Sequence, residues 1–351
     1  MLLLLQQCTS AENGYTRRAF IISPTYYLIN YIFNDAGFTN KLTAIKGDSH
    51  LETGIDLVTL EEQLKFYDSQ EEDEETKAKF AEFEKTNQAR QRKVYKYAMY
   101  LVPTYSNPRG DTYSLETRTK LVELARKYDM LIISDDVYDL LSFPANPSAI
   151  ESQLPPRLVS IDRATLPQDI PADKQYGNTV SNLTFSKLLG PGLRVGWQES
   201  ASPLICEQLG RAGSNRSGGT AAQLNSMVVA EMINLGVVDP VIAKLCEVYG
   251  DRARKMKQAM IQNLPVGTQI EGGEGGYFFW VTMPEGIDAH EMCAKLKQRG
   301  VIIGNGSNME VDNSPMGWGD RAVRVSLSFN EAEAAVEAIE RWGQVCQQMT
   351  K

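Results

Sequence analysis

The alternation of short apolar runs with helical patterns between residues 18 and about 200 is the feature that most constrains this chain. Neighbouring parallel strands need a long crossover connection, which is usually a helix, so this alternation predicts a mostly parallel sheet in an α/β fold. One such helix is clear, because Ser114 can cap it and the apolar residues within 121–128 fall on one face. The uninterrupted apolar run Met130–Ser134 follows at once and predicts a strand that is buried on both faces.

The remaining pattern divides the chain into three regions. Apolar runs predict strands at Ala19–Ile22, Leu42–Ile45, Met99–Val102, Met130–Ser134, Leu158–Ile161, Val180–Phe185 and Leu193–Trp197. Residues 221–263 have a helical pattern, and the C-terminal part mixes the strands Gly276–Met283 and Val323–Ser328 with the helices Ala289–Arg299 and Glu331–Met349. We therefore expect a large domain over residues 1–215, connecting helices over 216–263 and a smaller α+β domain over 264–351.

A charged insertion interrupts the large domain at about residues 68–93. Residues 68–75 carry six acidic side chains, and the helix-prone segment that follows them ends in the basic run RQRK. Segments with so much charge and so few apolar residues bury little surface. We therefore expect this insertion to be solvated and partly disordered.

Composition and charge exclude several classes of function. The net charge of −8 and the pI near 5.1 argue against a nucleic-acid or anionic-membrane surface. The two histidines argue against a histidine-rich zinc site, and the five scattered cysteines, without a C-x-x-C, suit a reducing compartment. The opening run Met1–Leu5 is too short for a signal peptide, and no segment has the ~18 apolar residues of a membrane span. We therefore expect a cytoplasmic protein without a metal ion and without a nucleic-acid or membrane partner.

The segment Thr184–Trp197 carries the strongest chemical signal. Lys187 directly follows a predicted strand, with hydroxyl groups at Thr184 and Ser186 before it and Arg194 seven residues after it. A lysine at the end of an apolar strand is partly desolvated, which lowers its pKa and makes the amine nucleophilic toward an aldehyde. The hydroxyls and the arginine suit a phosphate group. Each residue alone could be an ordinary surface residue, but together they predict a site for pyridoxal phosphate.

Two further segments place polar residues after predicted strands. Asp135 follows a buried apolar run, and Tyr138 lies three positions later. A carboxylate beside a pyridine nitrogen keeps that nitrogen protonated, and a tyrosine hydroxyl could reach the phenolic oxygen of the ring. Asp136 is compatible with a structural role instead. Asn107 also follows a strand and would emerge at the same edge of the sheet as Asp135 and Lys187.

These motifs, taken in order, resemble the class I/II aminotransferase family of fold-type I pyridoxal-phosphate enzymes. The most similar branch is that of the aromatic and 2-aminoadipate aminotransferases. The family pattern is matched at Pro24–Tyr26, Asn107–Gly110, Asp135–Tyr138, Ser186–Lys187 with Arg194, and Arg324–Ser326. An ordered set of motifs across about residues 10–345 is far more specific than any one of them. The resemblance implies an aspartate-aminotransferase-like fold, a homodimer, and transfer of an amino group from an amino acid to a 2-oxo acid.

The resemblance also implies which residues hold the cofactor ring. Lys187 would form the Schiff base with pyridoxal phosphate and later move protons, and Asp135 would pair with the pyridine nitrogen. Tyr138 and Asn107 would hydrogen-bond the ring oxygen. Tyr26 would stack on the ring face, with a core aromatic as the alternative interpretation.

The anionic groups have their own implied residues. Thr184, Ser186 and Arg194 would hold the cofactor phosphate. Arg324, with Asn107 beside it, would bind the substrate α-carboxylate in a bidentate fork that a lysine could not supply.

The chain departs from the family pattern at two places. Family members carry a Gly-Ser-type phosphate loop well ahead of the Pro-Thr-Tyr motif, but only 23 residues precede Pro24, so we expect an N-terminally short chain. Residues 304–310 replace the family's Pro-Gly-containing loop. Because one electron sink serves several reactions, C–S β-lyase chemistry and aminocyclopropane-carboxylate synthesis are alternative functions. The short N-terminal part leaves an inactive truncated homologue as a third alternative.

Overall fold

Two sheets organise the protein, for which a computed structural model describes residues 1–47, 51, 54–145, 154–218 and 222–349. The first sheet contains β1 (Arg18–Ser23), β2 (Leu42–Lys46), β3 (Tyr97–Leu101), β4 (Met130–Asp135), β5 (Thr179–Thr184) and β6 (Gly196–Ser200). The second contains β7 (Gln269–Gly272), β8 (Phe278–Thr282), β9 (Gly304–Asn305) and β10 (Ala322–Ser326).

The six-stranded sheet has the order β2-β1-β3-β4-β5-β6. Strands β1 to β5 are parallel, and β6 pairs antiparallel with β5. The prediction of a mostly parallel α/β sheet is therefore confirmed. Because parallel strands end at one edge, the segments that follow β1, β3, β4 and β5 converge there, where open α/β sheets usually bind their ligands.

The four-stranded sheet has the order β7-β8-β10-β9, and all of its pairs are antiparallel. In its register Arg324 of β10 lies between Trp280 of β8 and Gly304 of β9. Arg324 is therefore carried by a central strand, so its backbone is fixed on both sides.

Helices connect and cover the strands. They are α1 (Leu2–Cys8), α2 (Leu28–Phe33), α3 (Leu57–Asp68), α4 (Glu74–Ala89), α5 (Leu115–Lys127), α6 (Leu158–Ala164), α7 (Pro203–Gly210), α8 (Gly213–Arg216), α9 (Gln223–Asn234), α10 (Val238–Asn263), α11 (Ala289–Gln298) and α12 (Ala332–Met349). The predicted cap of α5 is confirmed, because the Ser114 hydroxyl accepts from the Thr117 amide at 3.2 Å. Within the described residues no helix alone is long and apolar enough to cross a membrane, and only α9 and α10 together, bent by 86°, meet the criteria of length and composition.

The core lies on both faces of the six-stranded sheet. Leu131 and Ile133 of β4 belong to the cluster on one face, and Ile132 belongs to the cluster on the other. The expectation that β4 is buried on both faces is therefore confirmed. A third cluster packs α10 and α12 against the four-stranded sheet, with Met256 and Trp342 among its members.

Two predicted strands are wrong in type or position. Leu158–Ile161 begins a helix, α6, because an apolar run of this length does not distinguish a strand from one buried face of a helix. Its amphipathic character is visible in Arg163, which points outward to Glu199. The run Leu193–Trp197 begins in a 3₁₀ turn, and the strand starts only at Gly196.

The charged insertion contains α4, in the segment whose composition is helix-prone, and most residues of this helix are exposed to solvent as expected. Asp73 caps this helix by accepting from the Thr76 amide at 2.7 Å. The rings of Phe80 and Phe83 lie 5.5 and 5.0 Å from that of Tyr15 and attach the helix to the rest of the chain. Phe80 and Phe83 therefore give α4 an apolar packing surface, which the charged composition of the segment does not make evident.

Candidate active site

Lys187 lies in a 3₁₀ turn directly after β5. Thr184 ends the strand, and its hydroxyl accepts from the Ser186 amide at 3.0 Å and donates to the Ser186 hydroxyl at 2.9 Å. These short-range contacts turn the chain sharply at the carboxyl edge of the sheet. They bring both predicted hydroxyl groups next to the lysine.

The amine of Lys187 lies among aromatic rings. Its Nζ is 5.3 Å from the ring centroid of Tyr277 and 5.9 Å from that of Tyr138, within the range of a cation–π contact. Burial lowers the pKa of Lys187, the Asp135 carboxylate opposes that shift, and the Arg324 charge adds to it. A lowered pKa leaves more of the amine unprotonated at neutral pH, which is the form that can attack an aldehyde.

Asp135 ends β4 and is held by two donors. Its Oδ2 accepts from the Tyr100 hydroxyl at 2.8 Å, and its Oδ1 accepts from the Asn182 side-chain amide at 2.8 Å. Burial raises the pKa of Asp135, while these two hydrogen bonds and the charges of the Met1 amine and Lys187 oppose the rise. The result is an oriented carboxylate on which the charge of the lysine acts. Tyr100 and Asn182 are not predicted from the sequence, and they lie on the strands that flank β4.

Asp136 belongs to the interior of the sheet and not to this edge. It is 1% exposed. Its Oδ2 accepts from the Ser134 hydroxyl at 2.9 Å and also from the Ser181 hydroxyl. Burial raises the pKa of Asp136 to about 6. This environment supports the structural interpretation of Asp136.

Arg324 and Asn107 meet across the two sheets. Arg324 Nη1 donates to Asn107 Oδ1 at 2.9 Å, and its guanidinium carbon lies 4.2 Å from the ring centroid of Phe278. Tyr138 belongs to the same group, because it forms a hydrogen bond with Asn107. Burial raises the pKa of Tyr138, and this hydrogen bond opposes the shift. In the sequence Phe278 belongs to the aromatic run Tyr277–Trp280, which does not by itself show that its ring lies under an arginine.

Tyr26 and Arg194 lie at the margins of this group. Tyr26 follows β1 and packs edge-on against Tyr27 at 6.0 Å. Burial and the Asp135 charge raise the pKa of Tyr26, and the Arg324 charge opposes the rise. Arg194 is exposed, has a left-handed backbone with φ 53°, and donates to the Pro191 carbonyl at 3.0 Å. Its guanidinium is therefore held by the Gly-Pro-Gly turn, at the outer side of the site.

These side chains fit the chemistry of pyridoxal phosphate. A half-buried amine with a lowered pKa suits an aldehyde, and an oriented carboxylate suits a protonated pyridine nitrogen. The hydroxyl pair of Thr184 and Ser186 suits a phosphate. Each of these groups on the protein therefore has a matching group on that cofactor.

Comparison with known proteins agrees with this chemistry. The family model "Aminotransferase class I and II" matches residues 2–339. An uncharacterised protein of Saccharomyces cerevisiae is 45% identical over 347 residues, which are 99% of this chain and 76% of that protein. Aromatic-amino-acid aminotransferase 1 of Thermococcus litoralis is 29% identical over 258 residues, which are 72% of this chain and only 55% of that relative.

Solved structures show the same fold. LysN, the α-aminoadipate aminotransferase of Thermus thermophilus, crystallised with N-(5'-phosphopyridoxyl)-L-leucine, superposes with a TM-score of 0.73 at 21% identity. The match covers 99% of this chain and 75% of that one. Since the family model covers nearly the whole chain, the protein belongs to the class I and II aminotransferases, the transaminases that use pyridoxal phosphate.

Proposed function

We propose that this chain transfers amino groups from amino acids with aromatic side chains to 2-oxo acids, at the site around Lys187. The observation that carries the proposal is the grouping of three charged residues in one place. They are a half-buried lysine, a carboxylate held by two donors, and an arginine that lies over an aromatic ring.

Each residue near the cofactor ring has a distinct proposed role. When bound, pyridoxal phosphate would supply an electron sink for negative charge at the substrate α-carbon. Lys187 would anchor the cofactor and then hold or move the proton at that carbon. Asp135 would keep a proton on the ring nitrogen. Tyr138 and Asn107 would contact the ring oxygen, and Tyr26 would lie against the ring face.

The anionic groups would be bound by the remaining residues. Thr184, Ser186 and Arg194 would hold the cofactor phosphate, which requires Arg194 to exchange its bond with Pro191 for that anion. Arg324 would bind the substrate α-carboxylate, with Asn107 orienting its guanidinium.

The proposed side-chain preference rests on the surroundings of Arg324. Burial lowers the pKa of Arg324, Tyr138, Tyr27 and Tyr26 oppose that shift, and Phe278 lies under the guanidinium, so neutral aromatic groups surround the arginine. Aromatic substrate rings pack well against such groups. The name of the Thermococcus litoralis relative agrees with this preference.

The function is tested by loading the purified chain with pyridoxal phosphate and offering amino donors with 2-oxoglutarate. We expect phenylalanine, tyrosine and tryptophan to be converted to their oxo acids faster than 2-aminoadipate or aspartate. Faster conversion of 2-aminoadipate would contradict the aromatic preference. Release of pyruvate and ammonia from an S-substituted cysteine, without an added oxo acid, would favour C–S β-lyase chemistry instead.

Replacing Arg324 with lysine is expected to weaken substrate binding. The change removes a charge-assisted bidentate pair, so KM should rise by the equivalent of about 1.5–3 kcal/mol, or roughly 10- to 150-fold. The absorption of the bound cofactor should be unchanged. Titrations with pyridoxal phosphate and with the amino donor measure cofactor binding and substrate binding separately. An equal weakening of both would show that Arg324 has only a structural role.

We further propose that the chain acts as a homodimer. Helix α9 exposes an unusual number of large apolar side chains, with Leu224 73%, Met227 61% and Ile233 51% exposed. The patch lies beside the Arg194 turn, because Asn225 of α9 donates to the Leu193 carbonyl at 2.8 Å. Burying this patch against a second copy would remove apolar surface from water.

The dimer is tested by light scattering of wild type and of Met227→Glu. The wild-type chain should have the mass of two copies, and the variant should shift toward one copy, because a carboxylate would be desolvated in the interface. Val266→Glu is the matched control, since Val266 is fully exposed on another part of the surface. A monomeric wild type that binds cofactor and turns over would contradict the proposal.

Two coarser features belong to the same proposal. The first is the division into a large domain over 1–215, connecting helices over 216–263 and a small domain over 264–351. It is supported by the order of elements along the chain, in which the six-stranded sheet precedes α9 and the four-stranded sheet follows α10. A cytoplasmic location is supported by the sequence, in which the five cysteines are scattered and form no C-x-x-C.

A further inference from the structure

The segment of residues 106–111, here called the Asn107 loop, follows β3 and closes on itself. The Ser106 amide donates to the Asp111 carbonyl at 2.9 Å, and the Gly110 amide donates to the Ser106 carbonyl at 2.7 Å. The loop is buried although it contains two charged residues, since the side chain of Arg109 is 5% and that of Asp111 is 16% exposed. Such burial is costly unless the charges have partners.

Arg109 finds its partners on both sides of the site. Its Nη1 donates to the Gly47 carbonyl, just after β2, at 2.8 Å. Its Nη2 lies 3.2 Å from Oε1 of Glu271 in β7, and its Nε lies 3.5 Å from Oδ2 of Asp111. One buried guanidinium therefore joins the six-stranded sheet, the Asn107 loop and the four-stranded sheet.

The loop also touches the four-stranded sheet through its backbone. A Cβ on Gly110 would lie 2.7 Å from the Gly272 Cα and 2.9 Å from the Phe278 carbonyl oxygen. The φ of +73° at Gly110 likewise favours glycine. The loop therefore lies directly against Phe278, whose ring lies under Arg324. This close contact fixes the distance between the Asn107 loop and the four-stranded sheet next to Arg324.

We propose that Arg109 is a positioning residue that acts through Asn107 on Arg324. Two side-chain contacts attach the loop to the four-stranded sheet beside that backbone contact: the Arg324–Asn107 hydrogen bond and the Arg109–Glu271 ion pair. With both attachments in place, the Asn107 carboxamide keeps the orientation that Arg324 needs to receive a carboxylate. This inference rests on the proposed role of Arg324. A lysine could not replace Arg109, because one ammonium group cannot reproduce its divergent contacts.

The proposal is tested in the cofactor-loaded protein with Glu271→Gln, a change that preserves shape and removes one charge of the pair. We expect KM for the amino donor to rise at least tenfold, while kcat and the cofactor absorption change less than threefold. The Kd of the carboxylate 3-phenylpropionate, measured by calorimetry, should rise by the same factor as KM. Arg109→Lys should give the same pattern and serves as a second variant.

A matched control separates positioning from stability. Arg126→Gln breaks a different pair, in which Arg126 Nη2 lies 2.7 Å from Oδ1 of the buried Asp162, away from the Asn107 loop. It should lower the thermal midpoint without changing KM or the inhibitor Kd. If Glu271→Gln and Arg109→Lys behave like this control, Arg109 has only a structural role and the proposal is overturned.

A combined variant links the effect to Arg324. Glu271→Gln should add little to the loss already caused by Arg324→Lys, because both changes act on one carboxylate contact. Full additivity would overturn the proposal while leaving the role of Arg324 intact. If Arg324→Lys alone leaves the inhibitor Kd unchanged, the proposed role of Arg324 fails, and the positioning role of Arg109 fails with it.

Discussion

Replacing Lys187 with alanine is expected to abolish turnover and covalent capture of the cofactor. The wild-type chain, incubated with pyridoxal phosphate and reduced with borohydride, should carry a phosphopyridoxyl group on the peptide that contains Lys187. The reason is its lowered pKa, which burial causes, together with its place between the rings of Tyr138 and Tyr277. Mass spectrometry of the reduced protein locates the label.

The control for this prediction is Lys174→Ala. Lys174 is exposed and lies ahead of the amino end of β5, at the opposite edge of the sheet from Lys187. This variant should keep both label and turnover. A label found mainly on another lysine, or normal turnover in Lys187→Ala, would show that the site map is wrong. Circular dichroism should confirm that the Lys187→Ala chain remains folded.

The second large effect is expected from Asp135→Asn. An asparagine can still bond with Tyr100 and Asn182, so the fold should survive, but it cannot keep a pyridine nitrogen protonated. We expect turnover to fall on the order of 100-fold or more, as for other preorganised electrostatic contacts. Single-turnover absorption measurements with an amino donor test the prediction.

Asp136→Asn is the neighbouring control with the opposite expected pattern. Asp136 is buried and accepts from Ser134 and Ser181, so its loss should lower the thermal midpoint. Turnover per folded molecule should stay close to that of wild type. If Asp136→Asn and not Asp135→Asn abolishes turnover, the two carboxylates have been assigned the wrong roles.

The sequence was sufficient to predict the residues that follow the strands, because that information is local. A strand that ends in Asp135 and one that leads into Lys187 are visible as apolar runs followed by polar groups. Leu158–Ile161 shows the limit of the same method. A short apolar run between polar segments has no periodicity, so only its packing decides that it is a helix.

The supporting residues could not be predicted, since they depend on contacts between distant parts of the chain. Tyr100 reaches Asp135 across 35 positions, and Arg109 reaches Glu271 across 162. Nothing local marks Tyr100 as different from the other tyrosines of the core. Only the strand order, which places β3 and β5 on either side of β4, identifies the donors that hold the carboxylate.

The strand order also bears on how this chain folds. The parallel sheet joins β1 to β3 and β4 to β5 across long intervening segments, and Asn107 meets Arg324 across 217 positions. Such a topology has a high contact order, so loop-closure entropy is lost before these contacts form. A partly folded chain that lacks either sheet cannot form the contact between Arg324 and Asn107. Recovery of turnover during refolding is therefore expected to mark the assembly of both sheets and not of any one segment.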